Sequence, residues 1–433
     1  MDNEEKSPFT LPGLLSVIPG LGQLYNKQIG KGIIFMSLFA LFVYQLKKYG
    51  ISAIRGLITL GSTPMEDHSL FLMITGVLQF ILILLFLMFY LAQIHDANKV
   101  FRLLKESPDK VGKNFIEVLK NTYEYGFPYL LISLSYVLMM FFILFPVIVT
   151  ILIVFTNYDF NHIPPASLID WTGLDTFKKI FTLSIFRKTF FAVFSWTIIW
   201  TICGTTLQIV VGIFTALIMN RPTLKFKRLI GVILLLPWAV PGFITILTFS
   251  NIFNPSIGAI NTQVIPFINN LFPLLNIGMI PWKTDPFWTK VAIILIQGWL
   301  GYPYIYVLTT GILQSIPSEL YEAASIDGAN VLQKLKTITL PYIFTVAAPV
   351  LITQYTGNFN NFGMIYLFNE GGPGSVGNGA GTTDILISWI YKLTTGGAPQ
   401  YNIASALTIF ISILVIGISL VIFKQTKAFD MGG

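Results

Sequence analysis

The side chains best suited to bind a ligand are amides and aromatic rings inside long apolar runs. Gln354, Asn358 and Asn361 stand at positions i, i+4 and i+7, so a helix would bring them to one face. Trp238 and Tyr304 add rings from two earlier runs. Rings can cover the apolar face of a pyranose while amides hydrogen-bond its hydroxyls, so this set suits a neutral sugar. The competing interpretation, which the residues alone favour, is that the amides join helices and the rings pack.

Groups that carry catalysis or hold metals do not form a recognisable constellation. Cys203 is the single cysteine, which excludes an intramolecular disulfide and a thiolate metal cluster. His68, His95 and His162 are scattered without ligand spacing. The sequence has no Walker motif, so the chain is not expected to hydrolyse ATP. We therefore predict no catalytic residue, no metal site and no cofactor in this chain.

A second candidate functional segment is a polar stretch, residues 319–341, between two apolar runs. It cannot lie in hydrocarbon, because its carboxylates, lysines and loop backbone would be unsatisfied there. Its pattern predicts a helix, a break at Gly328 and a second helix, with Pro341 at the start of the next membrane helix. From periodicity alone, an amphipathic loop on the membrane surface is an equally good interpretation.

Membrane helices must position these residues. Of the 433 residues, 54% are hydrophobic and 11% are charged, whereas soluble proteins carry about 25% charged residues. Because about 20 apolar residues cross the hydrocarbon, we predict an all-α integral membrane protein with about eight transmembrane helices. The predicted spans are 32–46, 70–93, 128–156, 190–219, 229–253, 291–313, 341–361 and 403–423.

Two apolar or glycine-rich segments fall outside these spans. Residues 9–28 are broken by prolines and glycines, so we predict an interfacial or re-entrant segment. Residues 362–402 contain N-E-G-G-P-G-S-V-G-N-G-A-G (369–381), which lacks the Gly-Lys-Ser/Thr ending of a phosphate loop, so we predict that 362–402 is a flexible external loop.

Basic residues orient the helices. Lysines and arginines are more numerous before the first predicted span and after the second, fourth, sixth and eighth than in the alternate loops. By the positive-inside rule, those segments and both termini face the cytoplasm. The polar segment 319–341 then also lies in the cytoplasm.

The amino-acid pattern of that polar segment resembles a known motif. The pattern E-A-A-x3-G-x9-I-x-L-P is similar to the EAA loop of ABC importer permeases. In that family the loop is a cytoplasmic helix-turn-helix that docks in a cleft of the ATPase subunit. The resemblance implies that coupling to an ATPase depends on Glu322, Ala323, Ala324, Asp327 and Gly328. The small alanines would permit close approach, and the glycine would permit a sharp turn.

The resemblance extends over residues 128–430, the last six predicted spans. L-L-L-P-W-A-V-P-G-F-I-T-I-L (234–247), W-L-G-Y-P-Y (299–304), I-P-S-E-L-Y-E-A-A (316–324) and N-F-N-N-F (358–362) resemble the MalF-type subunit of maltose/maltodextrin ABC importers. In that family the sugar lies at mid-membrane. The matching positions imply substrate contacts by Trp238, Gly242, Leu300, Gly301, Tyr304, Gln354, Asn358 and Asn361.

The sequence departs from the family at three of these positions. The family commonly has tyrosine in place of Trp238 and serine in place of Gly242 and Gln354. The first change keeps a stacking surface, while the other two remove or move hydroxyl contacts, which leaves the particular saccharide open. With the resemblance, sugar contact becomes the favoured role for Trp238, Tyr304, Asn358 and Asn361.

The resemblance also implies an organisation. Residues 1–127 would form an N-terminal membrane region with two transmembrane helices and a cytoplasmic connector. Residues 128–430 would form an ABC type I importer permease core with six transmembrane helices, and residues 316–341 the coupling loop within it. The expected location is a bacterial plasma membrane, crossed several times, with both termini in the cytoplasm.

The expected partners follow from the same resemblance. They are a second homologous permease (MalG-like), two ATP-binding subunits (MalK-like) that hold ATP and Mg²⁺, an oligosaccharide, membrane lipid and an extracellular solute-binding protein, but no nucleic acid. Relatives with an outer membrane carry a large external domain where this chain has the short loop 157–189. The binding protein is therefore expected to be a lipoprotein on a bacterium with a single membrane.

Three alternative functions compete with this one. An ion-coupled secondary sugar transporter would need intramembrane carboxylates or histidines, which the clear apolar runs lack. A membrane-embedded enzyme would need clustered carboxylates, a metal set or an activated nucleophile. An ABC permease for a different saccharide would share every feature above. The ABC importer explains the coupling loop, whereas the first two alternatives do not.

Overall fold

The computed structural model describes residues 10–106, 115–221 and 223–425. Within these ranges the regular elements are helices, with two isolated β-bridges in loops. The chain divides into two units, Met1–Gly173 and Leu174–Gly433. The predicted cytoplasmic connector lies partly outside the described residues.

The first unit contains three long apolar stretches that follow two short helices. The helices and π turns are α1 (Leu11–Leu15), α2 (Leu21–Tyr25), α3 (Ile29–Gln45), a π turn (Leu46–Gly50), α4 (Ile51–Thr59), α5 (Ser69–Glu106), α6 (Phe115–Met139), a second π turn (Met140–Leu144) and α7 (Phe145–Val154). α4 ends where Leu60 adopts a left-handed φ of 53°. The short helices α1 and α2 occupy the segment predicted to be interfacial or re-entrant.

The second unit is a bundle built on two long helices, α9 and α13. Its elements are α8 (Asp175–Thr182), α9 (Ser184–Met219), α10 (Lys227–Leu234), a 3₁₀ turn (Leu236–Trp238), α11 (Gly242–Ile252), a π turn (Ile260–Val264), α12 (Ile265–Leu271), α13 (Pro286–Ser315), α14 (Ser318–Ile326), α15 (Val331–Lys334), a π turn (Leu335–Thr339), α16 (Leu340–Phe359), α17 (Phe362–Asn369), α18 (Leu386–Thr395) and α19 (Tyr401–Gln425).

In the described part of the chain, seven stretches are long and apolar enough to cross a membrane. They are Ile29–Thr59, Ser69–Glu106, Gly126–Val154, Ser184–Met219, Pro286–Ser315, Val331–Asn369 and Tyr401–Val421. The predicted membrane class is confirmed, but the fifth predicted span, 229–253, is not one helix. It breaks between α10 and α11, where Pro237 and Pro241 lack a donor for the helical ladder. Pro303, by contrast, lies inside an unbroken α13.

Small residues let α9 and α13 approach closely. A Cβ added at Gly212 on α9 would stand 2.5 Å from Ile305 Cβ, and one at Gly298 on α13 would stand 2.6 Å from Leu207 Cδ2. Such distances leave no room for a side chain, so glycine permits the backbones to pack together, as it does in many membrane bundles. This close pairing brings polar side chains of the two helices into contact.

The glycine-rich segment, residues 369–383, is hydrogen-bonded to neighbouring helices, which corrects the prediction of a flexible loop. Trp196 Nε1 donates to the carbonyl oxygen of Thr383 at 3.0 Å, and Trp389 Nε1 donates to that of Asn378 at 2.9 Å. The glycine content predicts conformational freedom, and in the structure that freedom lets backbone carbonyls reach two indole donors, one 187 residues away along the sequence and the other 11.

The fully buried carboxylate of Asp384 organises the end of this segment. Its Oδ2 accepts from the backbone N–H of Gly381 at 2.7 Å and pairs with Lys392 Nζ at 2.5 Å. Its Oδ1 accepts from the Ser388 hydroxyl at 2.8 Å. The carboxylate therefore joins the glycine-rich segment to the first two turns of α18.

We expect Asp384→Ala to destabilise the protein strongly, because it leaves the Lys392 ammonium without its carboxylate. Removing one partner of a buried ion pair costs about 3–5 kcal/mol. The matched control is Asp175→Ala, which removes the exposed pair with Lys178 and should cost about 0–1 kcal/mol. Thermal unfolding of the detergent-solubilised variants tests this, and equal shifts in Tm would contradict it.

Candidate functional site

The predicted aromatic residues meet at the break in the fifth predicted span. Trp238 ends the 3₁₀ turn after α10, and Tyr304 lies on α13 directly after Pro303. Their ring centroids are 6.2 Å apart with an interplanar angle of 42°. Trp238 is 51% exposed and Tyr304 is 39% exposed. The two rings thus form an open aromatic surface on the bundle.

A second aromatic pair, which the sequence interpretation did not select, joins α11 to α13. Trp299 is exposed, and its ring stands edge-on to that of Phe249, with centroids 5.1 Å apart. Trp299 begins the same W-L-G-Y-P-Y segment that contains Tyr304. The motif therefore contained Trp299, but the sequence interpretation selected only Leu300, Gly301 and Tyr304 from it.

The amide side chains form a buried hydrogen-bond network centred on Gln297 of α13. Its Nε2 donates to Asn358 Oδ1 at 2.8 Å and to Gln208 Oε1 at 3.2 Å. Its Oε1 accepts from Asn361 Nδ2 at 3.1 Å. One glutamine on α13 therefore connects α9 with the end of α16.

The network continues from Asn358 and Gln208. Asn358 is buried; its Nδ2 donates to Thr205 Oγ1 at 2.9 Å, and its backbone carbonyl accepts from Trp200 Nε1 at 2.8 Å. Gln208 Nε2 donates to Gln354 Oε1 at 3.1 Å. The three predicted amides are thus brought together, but through Gln208, Gln297 and Thr205, which sequence reasoning missed.

The remaining predicted contact residues differ in their surroundings. Gly242 begins α11, and a Cβ added there would have nothing within 4 Å. Gly301 faces the network, because a Cβ there would stand 2.0 Å from Gln208 Oε1. Leu300 is partly buried against the bundle core. Gly242 therefore borders open space, whereas Gly301 permits helix packing.

The predicted break in the coupling loop is present at Gly328, which has a φ of +78°. The N–H of Gly328 donates to the Ser325 carbonyl at 3.1 Å, and that of Ala329 donates to the Ala324 carbonyl at 2.9 Å. This pair of bonds is the Schellman motif, in which a left-handed residue ends a helix. Glycine takes this conformation without steric cost, which explains its position in the spacing.

The second half of the coupling loop begins with a capping box. Asn330 Oδ1 accepts from the N–H of Gln333, and Gln333 Oε1 accepts from the N–H of Asn330. Such reciprocal bonds satisfy two donors at the start of a helix. They fix the direction in which α15 leaves the turn.

An exposed apolar surface surrounds this turn. Ile326 is 87% exposed and Val331 is 83% exposed, and Glu322 and Ala323 are also exposed. The Tyr321 hydroxyl is 2.9 Å from Thr339 Oγ1, which holds α14 to the base of α16. The loop therefore presents apolar and acidic groups on a turn that is internally fixed.

Charge is sparse around the aromatic surface, since residues 229–282 contain no Asp, Glu, Lys or Arg. Lys283, which follows in the loop before α13, donates to Ser250 Oγ at 2.8 Å and lies 5.6 Å over the Phe368 ring. Burial lowers the pKa of Lys283, while the negative charge of Glu370 acts in the opposite direction. The described residues include no group of three His, Cys, Asp or Glu side chains that could hold a metal.

Comparisons with known proteins agree with this architecture. Residues 208–430 match the family described as binding-protein-dependent transport system inner membrane component. The chain is 58% identical over 429 residues to the maltodextrin transport system permease protein MalC of Streptococcus pneumoniae serotype 4, covering 99% of this chain and 98% of that protein.

Two further comparisons extend the match. The chain is 47% identical over 420 residues to the galactooligosaccharides transport system permease protein GanP of Bacillus subtilis, covering 96% of this chain and 97% of that protein. A solved bacterial ABC transporter that imports the acidic polysaccharide alginate shares the fold, with a TM-score of 0.57, 20% identity and coverage of 72% of this chain and 99% of that one. The chain therefore belongs to the binding-protein-dependent transport permeases and is a multi-pass membrane subunit of an ABC importer.

Proposed function

We propose that this MalF-type permease carries a neutral oligosaccharide of the maltodextrin class into the cytoplasm by alternating access. The observation that carries the proposal is the exposed ring pair of Trp238 and Tyr304 in an uncharged part of the bundle. The high identity to a protein named as a maltodextrin permease supports the substrate class.

In this proposal the rings and the amides have different tasks. Trp238 and Tyr304 cover the apolar face of a sugar ring, and Gly242 leaves space beside them. Gln354 and Asn361 are partly exposed, so their amides are available to sugar hydroxyls. Asn358 is buried and hydrogen-bonded within the protein, so we assign it to holding the neighbouring amides in place.

We further propose that residues 316–341 transmit the action of an ATPase. The fixed turn at Gly328 would present Ile326, Val331 and Ala323 to a cleft on the ATP-binding subunit. Burying such apolar side chains at about 25 cal/mol per Å² would drive docking. Glu322 and Asp327 would add charge complementarity at its edge.

The proposed assembly has one copy of this chain, one homologous permease, two ATP-binding subunits and an external binding protein of the lipoprotein type. It would lie in a bacterial plasma membrane with both termini of this chain in the cytoplasm. Native mass spectrometry of the chain co-expressed with the products of its neighbouring genes tests the stoichiometry.

A second candidate substrate has support of its own. The 47% identity to a protein named as a galactooligosaccharide permease makes that sugar class the alternative. Competition of unlabelled maltodextrin or galactooligosaccharide against labelled maltodextrin uptake in vesicles separates the two. Maltodextrin should compete at lower concentration, and the reverse order would favour the alternative.

We expect Trp238→Ala to weaken sugar uptake, because it removes a stacking surface worth about 1–3 kcal/mol. This corresponds to a roughly 5- to 150-fold loss of apparent affinity. Basal ATP hydrolysis and complex yield should be retained. Trp238→Phe is the control, since it keeps an aromatic face. Proportional loss of uptake, hydrolysis and yield would assign the ring to packing instead.

For Gln297→Leu the amide network predicts a general loss of function and stability, in contrast to the selective loss of uptake expected for Trp238→Ala. Leucine fills a similar volume but leaves Asn358 Oδ1, Asn361 Nδ2 and Gln208 Oε1 without their partner. An unpaired buried polar group costs about 1–3 kcal/mol, so uptake, hydrolysis and thermal stability should fall together. Gln263→Leu, the same change at an exposed position, should leave all three unchanged. Selective loss of uptake with normal stability would instead make Gln297 a substrate contact.

We expect Gly328→Val, in the proposed coupling loop, to reduce coupling to the ATPase without changing the proposed sugar-binding residues. A residue with a Cβ pays about 1–2 kcal/mol in the left-handed region, and valine is among the least tolerant. Binding of the ATPase subunit and sugar-stimulated hydrolysis should decline. Gly328→Asn should retain most of both, because asparagine accepts this conformation. Equal activity of the valine and asparagine variants would refute a role for the turn geometry.

A further inference from the structure

The segment before α3 has its polar side chains inside and its apolar side chains outside. Ser16, Gln23, Asn26 and Gln28 are between 0% and 7% exposed. The apolar side chains of Leu11, Leu14, Val17 and Ile18 are between 49% and 62% exposed. Water-soluble proteins distribute these residue types in the opposite way. The hairpin of α1 and α2, residues 10–28, is therefore built for apolar surroundings.

Amide hydrogen bonds fix the inner face of the hairpin to α5. Gln23 Nε2 donates to the carbonyl oxygen of Gln93 at 2.8 Å, and Gln93 Nε2 donates back to that of Ser16 at 2.6 Å. Asn26 Nδ2 donates to the carbonyl oxygen of Ala97 at 2.8 Å. These bonds run along one side of α5 and leave the opposite side of the hairpin uncovered.

The attachment points indicate the depth of the hairpin along α5. Tyr90 OH donates to the carbonyl oxygen of Val17, at the tip, at 3.0 Å. Tyr90 belongs to the apolar part of α5, whereas Asp96, which pairs with Lys31 Nζ at 2.6 Å, marks its polar end. The tip therefore lies beside the end of the hydrocarbon region, and the base of the hairpin lies beside charged residues.

A basic rim follows directly beyond this polar end. Lys27 at the base of the hairpin and Lys99, Arg102 and Lys105 on α5 are all exposed. At 1.5 Å per residue, Lys99 and Arg102 lie about 9 and 14 Å beyond Gln93. The headgroup layer beyond the hydrocarbon is about 5–8 Å thick on each side, and the long basic side chains on the turns just beyond it can reach back to lipid phosphates.

We propose that the hairpin is a wedge inserted in one phospholipid leaflet and that the basic rim binds anionic phospholipid headgroups there. The outer face is continuous with the membrane-spanning α3, which begins at Ile29 directly after the hairpin. The uncovered side of the hairpin is apolar, like the lipid-exposed side of the membrane-spanning helix that it joins. The inference concerns the first unit and does not depend on which sugar the chain carries.

Spin-label accessibility tests the wedge in the full chain with its partner subunits in nanodiscs. Cys203→Ser removes the native thiol, and a nitroxide is then placed by Val17→Cys. Ile34→Cys on α3, next to Phe35 whose ring packs on Phe89, provides the lipid-exposed control at a depth similar to Tyr90, and Met65→Cys in the loop before α5 provides the aqueous one; both native side chains are exposed. We expect the ratio of oxygen to nickel-chelate accessibility at Val17 to match Ile34 and to exceed Met65 severalfold. A ratio like that at Met65, or shielding from both reagents by a protein, overturns the wedge.

Native mass spectrometry tests the rim without reference to transport. The same assembly is extracted from bilayers of phosphatidylcholine and phosphatidylglycerol, and the retained phosphatidylglycerol is counted. We expect the double variant Lys99→Gln and Arg102→Gln to retain severalfold less than the parent, while Lys178→Gln, an exposed lysine of the second unit, retains as much. Equal retention by the parent and the double variant overturns headgroup binding.

Discussion

An amide side chain that lies between apolar helices must hydrogen-bond to another polar group of the protein, because lipid tails and apolar side chains offer neither donors nor acceptors. Gln297 meets this requirement for three other side chains at once, accepting from Asn361 and donating to Asn358 and Gln208. The close packing of α9 on α13 therefore depends on two features. Glycines leave room for it, and the amides can hydrogen-bond only when the two helices are close. The aromatic surface on α13 is held by this pairing.

The need to pair buried amides distinguishes the tightly packed part of the candidate site from its open part. Where amides are buried and paired, as at Asn358, the structure has little freedom to rearrange around a ligand. At the break between α10 and α11 the helical ladder is interrupted, and Trp238 and Gly242 border open space. In the proposed transport site, the paired amides would form a rigid wall that keeps the helices together, and the open surface would stay accessible to the sugar.

Polar groups at the ends of the helices follow the same logic with other partners. Asp384 satisfies the backbone N–H of Gly381 and a hydroxyl and an ammonium of α18, and Gly328 lets the last carbonyls of α14 be capped before α15. In the hairpin of residues 10–28, glutamine and asparagine turn towards the backbone of α5 and leave leucines outside. In this hairpin the polar face is buried and the apolar face is exposed, which is the arrangement expected in apolar surroundings and the reverse of that in water.

The sequence by itself determined the membrane class, most of the spanning helices, the family and the break at Gly328. These features depend on composition, on local periodicity or on a single residue's φ preference, all of which are written along the chain. Only the tertiary structure decided that Asn358 meets Gln297 and Thr205, that Gly301 packs on Gln208, and that the glycine-rich segment bonds to Trp196 through the carbonyl of Thr383. Such partners lie tens to hundreds of residues apart, and a buried polar group bonds to any partner of suitable geometry. Their choice therefore depends on how the helices pack and not on the local pattern around each residue.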